Sequence, residues 1–86
     1  RTTERFRGAL SSLPEHVQER AHAAFRQFQQ DPGHPSLRVK QVHATRPIFS
    51  ARVGLGYRAL AIRDEQVCIW FWIGTHSDYD KLLKQL

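Results

Sequence analysis

Apolar residues along this chain recur first with the period of a helix and then with the period of a strand, and the change falls near position 37. Phe6, Ala9, Leu10 and Leu13 lie at helical spacing behind Thr2, Thr3 and Glu4, which supply a threonine N-cap and an acid for the first turn. Pro14 breaks that run and is well placed as the first residue of a second helix. The stripe of that helix is Val17, Ala21, Ala24, Phe25 and Phe28, with Glu15, Gln18, Glu19, Arg20, Arg26 and Gln27 mostly outward. Asp31-Pro32-Gly33 ends it, so the first third of the chain predicts an αα-hairpin.

From Leu37 the period is two. Leu37–Val42 predicts a short strand, Ile48–Val53 a second, and Tyr57–Arg63 a third after the turn Gly54-Leu55-Gly56. Asp64-Glu65-Gln66 turns the chain again. Val67–Ile73 is apolar on both faces and predicts a central strand, with Trp70 and Trp72 alternating onto one face. Gly74 closes it, and Thr75 or Ser77 caps a last helix carrying Tyr79, Leu82, Leu83 and Leu86 on one side. The expected fold is α+β: an N-terminal αα-hairpin on a four-stranded antiparallel sheet, then a short C-terminal helix, in a single domain over residues 1–86.

Composition agrees with one small core. The chain has 86 residues, 41% of them hydrophobic, and a chain this short buries only about 60% of its unfolded surface. The first residues do not read as a signal peptide, and no apolar run approaches the roughly 18 residues of a membrane span, so no membrane partner is expected. Cys68 is the one cysteine. A disulfide framework is therefore excluded, and a reducing, cytoplasmic setting is expected with Cys68 as a small buried hydrophobe.

Charge changes the picture more. Thirteen Lys and Arg against eight Asp and Glu give +5, and the only lysines are Lys40, Lys81 and Lys84. Arginine's planar fork suits phosphate better than lysine's point charge, which points to a polyanion and first to RNA. Charge that serves solubility alone is the plain alternative.

A three-residue loop at Gly54–Gly56 sets Val53 against Tyr57 and Arg52 against Arg58, two guanidinium groups side by side on one sheet face. Like charges directly opposite weaken a strand pair by up to about 1 kcal/mol, whereas a phosphate between them would favour the arrangement. Alternation puts Arg38 and Lys40 on one face of the first strand, where they contact RNA or merely protect an edge. His76, at the end of the last strand and the start of the last helix, is the candidate general acid or base. Tyr79 follows three residues later on the same side, to donate a proton, stack on a base or pack on the sheet. His16, His22, His34 and His43 read as surface residues. Neither metal-ligand spacing nor a second thiol is present, so no metal and no cofactor are expected.

Several stretches taken together resemble one family. They are Leu13-Pro14-Glu15-His16-Val17-Gln18, Asp31-Pro32-Gly33-His34-Pro35-Ser36-Leu37 and Ser50-Ala51-Arg52-Val53. They continue with Gly56-Tyr57-Arg58-Ala59-Leu60 and Trp70-Phe71-Trp72-Ile73-Gly74-Thr75-His76-Ser77-Asp78-Tyr79-Asp80. In order and spacing these resemble the RelE/ParE superfamily of bacterial type II toxin–antitoxin toxins over nearly the whole chain. The family's leading strand is short or absent in the pattern. The resemblance implies a ribosome-dependent mRNA endonuclease causing growth arrest, held inactive by a cognate antitoxin wrapped over the basic face. It implies metal-independent chemistry, with the ribose 2′-hydroxyl attacking the neighbouring phosphate. In that comparison Arg58 matches the phosphate-stabilising arginine of a Gly-Tyr-Arg strand. His76 falls near a C-terminal acid, Tyr79 near a late tyrosine, and Lys40 and Arg52 near basic strand residues. The lysine pair of RelE itself has no counterpart, which leaves the general base unassigned. ParE-type relatives instead poison DNA gyrase and lack nuclease residues, so a gyrase inhibitor and a non-catalytic nucleic-acid-binding module stand as the alternatives.

Overall fold

Thr3 opens the first helix by accepting the Phe6 N–H on its Oγ1 at 3.1 Å. In the computed structural model, which describes residues 1–86, this helix (α1, Glu4–Ser11) is followed by α2 (Glu15–Gln30), with Pro14 standing just outside as its N-cap. The hairpin read from the apolar periodicity is present. Phe6 and Ala21 carry its inner stripe into the core, and Phe25 and Phe28 meet Trp70 with ring centroids at 5.1 and 5.3 Å.

The expected first strand is mostly something else. Pro35 starts a 3₁₀ turn over Pro35–Leu37, capped by His34 Nδ1, which accepts the Ser36 N–H at 3.2 Å. Leu37 fills the core at 2% exposure, and Arg38 leaves the turn in the left-handed region at φ 47°. Only Lys40–Gln41 (β1) then pairs as strand. The alternation that placed Arg38 and Lys40 on one face therefore does not exist, because Arg38 is not in the strand.

Strands β2 (Ile48–Val53), β3 (Tyr57–Asp64) and β4 (Val67–Thr75) complete an antiparallel meander in the order β1-β2-β3-β4. β4 is thus a terminal strand and not the central one expected. It is apolar on both sides because α1 and α2 cover one face of the sheet while α3 (His76–Leu83) covers the other. Its outer edge is also partly occupied: Thr2 bridges to Trp70 in parallel, with the Trp70 N–H donating to the Arg1 carbonyl at 2.9 Å. That bridge adds a single parallel residue pair to the edge of β4.

Two cores result. On the hairpin face Ala51, Ala59 and Ala61 leave room for the aromatic rings above them, with Val53 and Ile73 between. On the other face Ile48, Leu60 and Tyr79 form the centre, flanked by Ile62, Phe71, Trp72, Leu82 and Leu83. A register shift between Leu60 and Ala61 decides which side each tryptophan serves. Leu60 pairs with Trp72 and Ala61 with Trp70, so Phe71 is the extra residue of a bulge. Trp70 and Trp72 consequently lie on opposite faces, contrary to strict alternation.

Gly74 lies beneath Trp72. A methyl group there would come within 2.8 Å of the indole ring carbons. Gly74→Ala is expected to displace Trp72 and destabilise the fold by about 1–3 kcal/mol, the usual range for overpacking. The effect would be read as a lower urea midpoint with an unchanged slope.

Candidate functional site

The last helix sets the site. Thr75 caps it by accepting the Asp78 N–H on Oγ1 at 3.1 Å, and the His76 N–H donates to the Gly56 carbonyl at 2.9 Å. The second bond ties the helix start to the β2–β3 turn, beside which Arg58 begins its strand. One turn on, Tyr79 is driven into the sheet at 2% exposure, and its hydroxyl donates to Ser50 Oγ at 3.1 Å. Ser50 is wholly buried in β2, and this bond satisfies a polar pair that burial would otherwise penalise.

Around the Tyr79 ring the structure gathers the residues read as catalytic. The Arg58 guanidinium carbon lies 5.7 Å from the ring centroid, a cation–π contact, while the His76 ring meets it edge-on at 5.6 Å. Arg58 has no carboxylate partner, and its Nη1 is buried without an acceptor. Left so, a buried donor costs about 1–3 kcal/mol. Tyr79 itself supplies a platform: its hydroxyl faces the core and not the space where Arg58 and His76 meet solvent.

His76 Nδ1 stands 3.2 Å from Asp80 Oδ2, one helical turn on. The Asp80 contact engages Nδ1, and Nε2 is the ring nitrogen without a partner. Both side chains are about half exposed, at 50% and 58%, so this pair orients more than it stabilises. Sequence reading passed over Asp80, although its spacing of four from His76 is the signal that finds it.

The two strand arginines are directly opposite in register, Arg52 to Arg58, as the loop length required. Their heads part company. Arg52 turns back along its own strand, with Nε donating to the Gly54 carbonyl at 2.9 Å, and it lines a cleft beside Arg20 of α2. Arg58 lies on Tyr79. Each cation has found its own acceptor or π-face, which relieves the repulsion that side-by-side heads would suffer. The expected pair of adjacent guanidinium groups is therefore replaced by one arginine on each side of the register.

Lys40 is exposed and pairs with Ser50, so it sits on the Tyr79 face, one cross-strand row from Arg58. Arg38 projects from the loop before it. Of the remaining histidines, His34 caps the 3₁₀ turn, and His43 Nδ1 accepts the N–H groups of Thr45 and Arg46. The single ion pair in the molecule is His76–Asp80, so no lysine or arginine is neutralised by a neighbouring carboxylate. No helix is long and apolar enough to cross a membrane.

Comparison with known proteins agrees with this architecture. Residues 15–81 match the family described as the ParE-like toxin domain. Among solved structures, the chain is similar to one in the crystal structure of the RelB–RelE antitoxin–toxin complex from Methanococcus jannaschii. The TM-score is 0.74 and the identity 20%, covering 93% of this chain and 95% of that one, a likeness of fold. No curated protein sequence matches the chain.

Tyr79→Phe removes the bond to Ser50 and keeps the ring beneath Arg58. It is expected to lower stability by about 1–3 kcal/mol, because the buried Ser50 hydroxyl loses its partner. Tyr79→Ala, which also empties the space, is expected to cost about 3–5 kcal/mol. Urea denaturation of the two variants separates the contributions.

Proposed function

We propose, from the premise that this chain belongs to the ParE-like toxin domain family, that it is the toxin of a toxin–antitoxin pair acting as an mRNA endonuclease on the ribosome. The observation that carries the reading is Arg58. Its guanidinium rests on the Tyr79 ring with a buried, unsatisfied nitrogen, and an imidazole with a free Nε2 stands at the edge of the same ring. Cleaving RNA through its own 2′-hydroxyl needs positive charge at the phosphate and a proton for the departing oxygen. The groups with those two capacities both contact the Tyr79 ring.

In the reaction the ribose O2′ bonds to phosphorus and the P–O5′ bond breaks, leaving a 2′,3′-cyclic phosphate and a 5′-hydroxyl. Arg58 holds the non-bridging oxygens as charge builds on them. Protonated His76 passes its Nε2 proton to O5′, while Asp80 keeps the ring turned with Nδ1 inward. Lys40, on the same sheet face, contacts the phosphate backbone of the bound strand. Tyr79 acts as a positioning residue, since its hydroxyl is committed to Ser50. The 2′-hydroxyl proton leaves to a base outside this group.

The similar solved structure is of a RelE toxin bound by a RelB antitoxin, and by analogy a cognate antitoxin restrains this chain. Its basic residues, none of them paired with a carboxylate, suit an acidic partner as well as RNA. The ParE-like family name favours one competing reading, inhibition of DNA gyrase. That reading gives the Arg58–His76 arrangement no task.

Arg58→Ala and His76→Ala are each expected to abolish growth arrest and to slow cleavage of ribosome-bound mRNA by about 10²-fold or more, with the native fold retained by circular dichroism. Replacing the 2′-hydroxyl at the scissile position by hydrogen is expected to stop cutting altogether. Full toxicity in both variants, or DNA breaks with translation intact, would overturn the nuclease reading in favour of gyrase.

A further inference from the structure

We infer that the cavity between the end of α2 and the corner of the sheet at Phe49 and Arg63 binds a small aromatic carboxylate, with the ring inside and the carboxylate on Arg63. The cavity has a volume of about 200 Å³, and its walls include Phe28, Val39, Phe49, Ala61, Cys68 and Trp70. It lies on the hairpin face of the sheet and contains none of Arg58, His76 or Tyr79. Ser50 borders it, but the Ser50 hydroxyl is engaged by Tyr79 on the other face. Occupancy of this cavity does not depend on whether the chain cuts RNA.

A packing mismatch makes the cavity. Ala61 presents only a methyl group between Phe49 on β2 and Trp70 on β4, its two partners in register. Phe28 comes from the last turn of α2 and meets Trp70 edge-on, with 5.3 Å between ring centroids. Pro32 and Gly33 then carry the chain past the gap. Three aromatic rings thus border a space that the side chains leave unfilled. Water gains little there, because a held water needs about two to four polar partners. An apolar cavity of about 150 Å³ takes up benzene, so this one has room for a single ring but not for a ring joined to a ribose.

Arg63 fixes the sign of the ligand. It is the only charged residue lining the cavity, and no carboxylate lies within ion-pair distance of it. Its backbone N–H donates to the Pro47 carbonyl at 2.9 Å, and it stands opposite Cys68 in register. The side chain lies over Phe49, with the guanidinium carbon 5.3 Å from the ring centroid. A planar fork at the edge of an aromatic chamber is complementary to a carboxylate attached to a ring. An amine would be repelled, and a neutral ring would leave the fork unused.

The test is a titration of the full chain with benzoate, benzamide and adenosine monophosphate, followed by NMR. The two tryptophans act as internal controls, because Trp70 lines the cavity and Trp72 lies on the opposite face. Benzoate is expected to saturate with a Kd on the order of 0.1–1 mM, as a ligand of so few atoms allows. It should shift the Trp70 indole N–H and the Arg63 Nε signal and leave Trp72 in place. Benzamide, the uncharged match, should bind roughly fivefold or more weakly, and Arg63→Gln should bring the two to equal affinity. The comparison of benzoate with benzamide on the wild-type chain stands even if Arg63→Gln folds poorly. The carboxylate site is refuted if benzoate fails to saturate at millimolar concentration or shifts Trp72 instead of Trp70. It is equally refuted if benzamide binds the wild type as tightly, or if Arg63→Gln keeps the preference for benzoate. Tighter binding of adenosine monophosphate, read at Trp70, would overturn it in favour of a nucleotide.

Discussion

The hydrogen bond from Tyr79 to Ser50 joins the C-terminal helix to the middle of the sheet, and the candidate site depends on it. A tyrosine ring is large enough to close the second core with Ile48 and Leu60, but its hydroxyl can enter that core only if an acceptor waits there. Ser50 is that acceptor, on a strand otherwise built of apolar and cationic side chains. With the ring so held, it becomes a fixed support. The Arg58 guanidinium and the His76 imidazole both rest against it. The precision of the site is therefore borrowed from a packing interaction, which is how rigid elements hold a constellation in place.

Much of this architecture was legible in the order of residues. The helical hairpin, the loop at Gly54 and the facing of Arg52 by Arg58 follow from periodicity and turn chemistry, which are local properties. The departures have non-local causes. A bulge opposite Leu60 and Ala61 moves the tryptophans to different faces, and no pattern in Val67–Ile73 announces it, because every residue there is apolar. Arg38 turns left-handed since Leu37 must reach the core. The terminal place of β4 was hidden by its apolar character on both sides, a feature shared by strands covered on two faces wherever they lie in the sheet. Where a long side chain sends its head is least legible of all: Arg52 and Arg58 begin opposite each other and end in different surroundings.

Electrostatics then divides the molecule. Its 13 lysines and arginines outnumber eight acids, and no cation is neutralised by a carboxylate neighbour. Such unpaired charge opposes compactness and persists in proteins that meet anionic partners. Within one sheet face the two strand arginines then take different surroundings, Arg58 on the Tyr79 ring and Arg52 turned back to the Gly54 carbonyl. The short turn from Gly54 to Gly56 is bound to Arg52 on one side and to the start of α3 on the other.

In the proposed reaction Arg58 and His76 take hold of the same phosphate. The most direct measurement follows the guanidinium and imidazole nitrogens by NMR as a dinucleotide lacking the 2′-hydroxyl is titrated onto the intact chain. The Arg58 nitrogens and His76 Nε2 are expected to move together along one saturation curve, while Arg52 Nε stays at its Gly54 bond. Movement of Arg52 and Arg20 with Arg58 and His76 silent would contradict it.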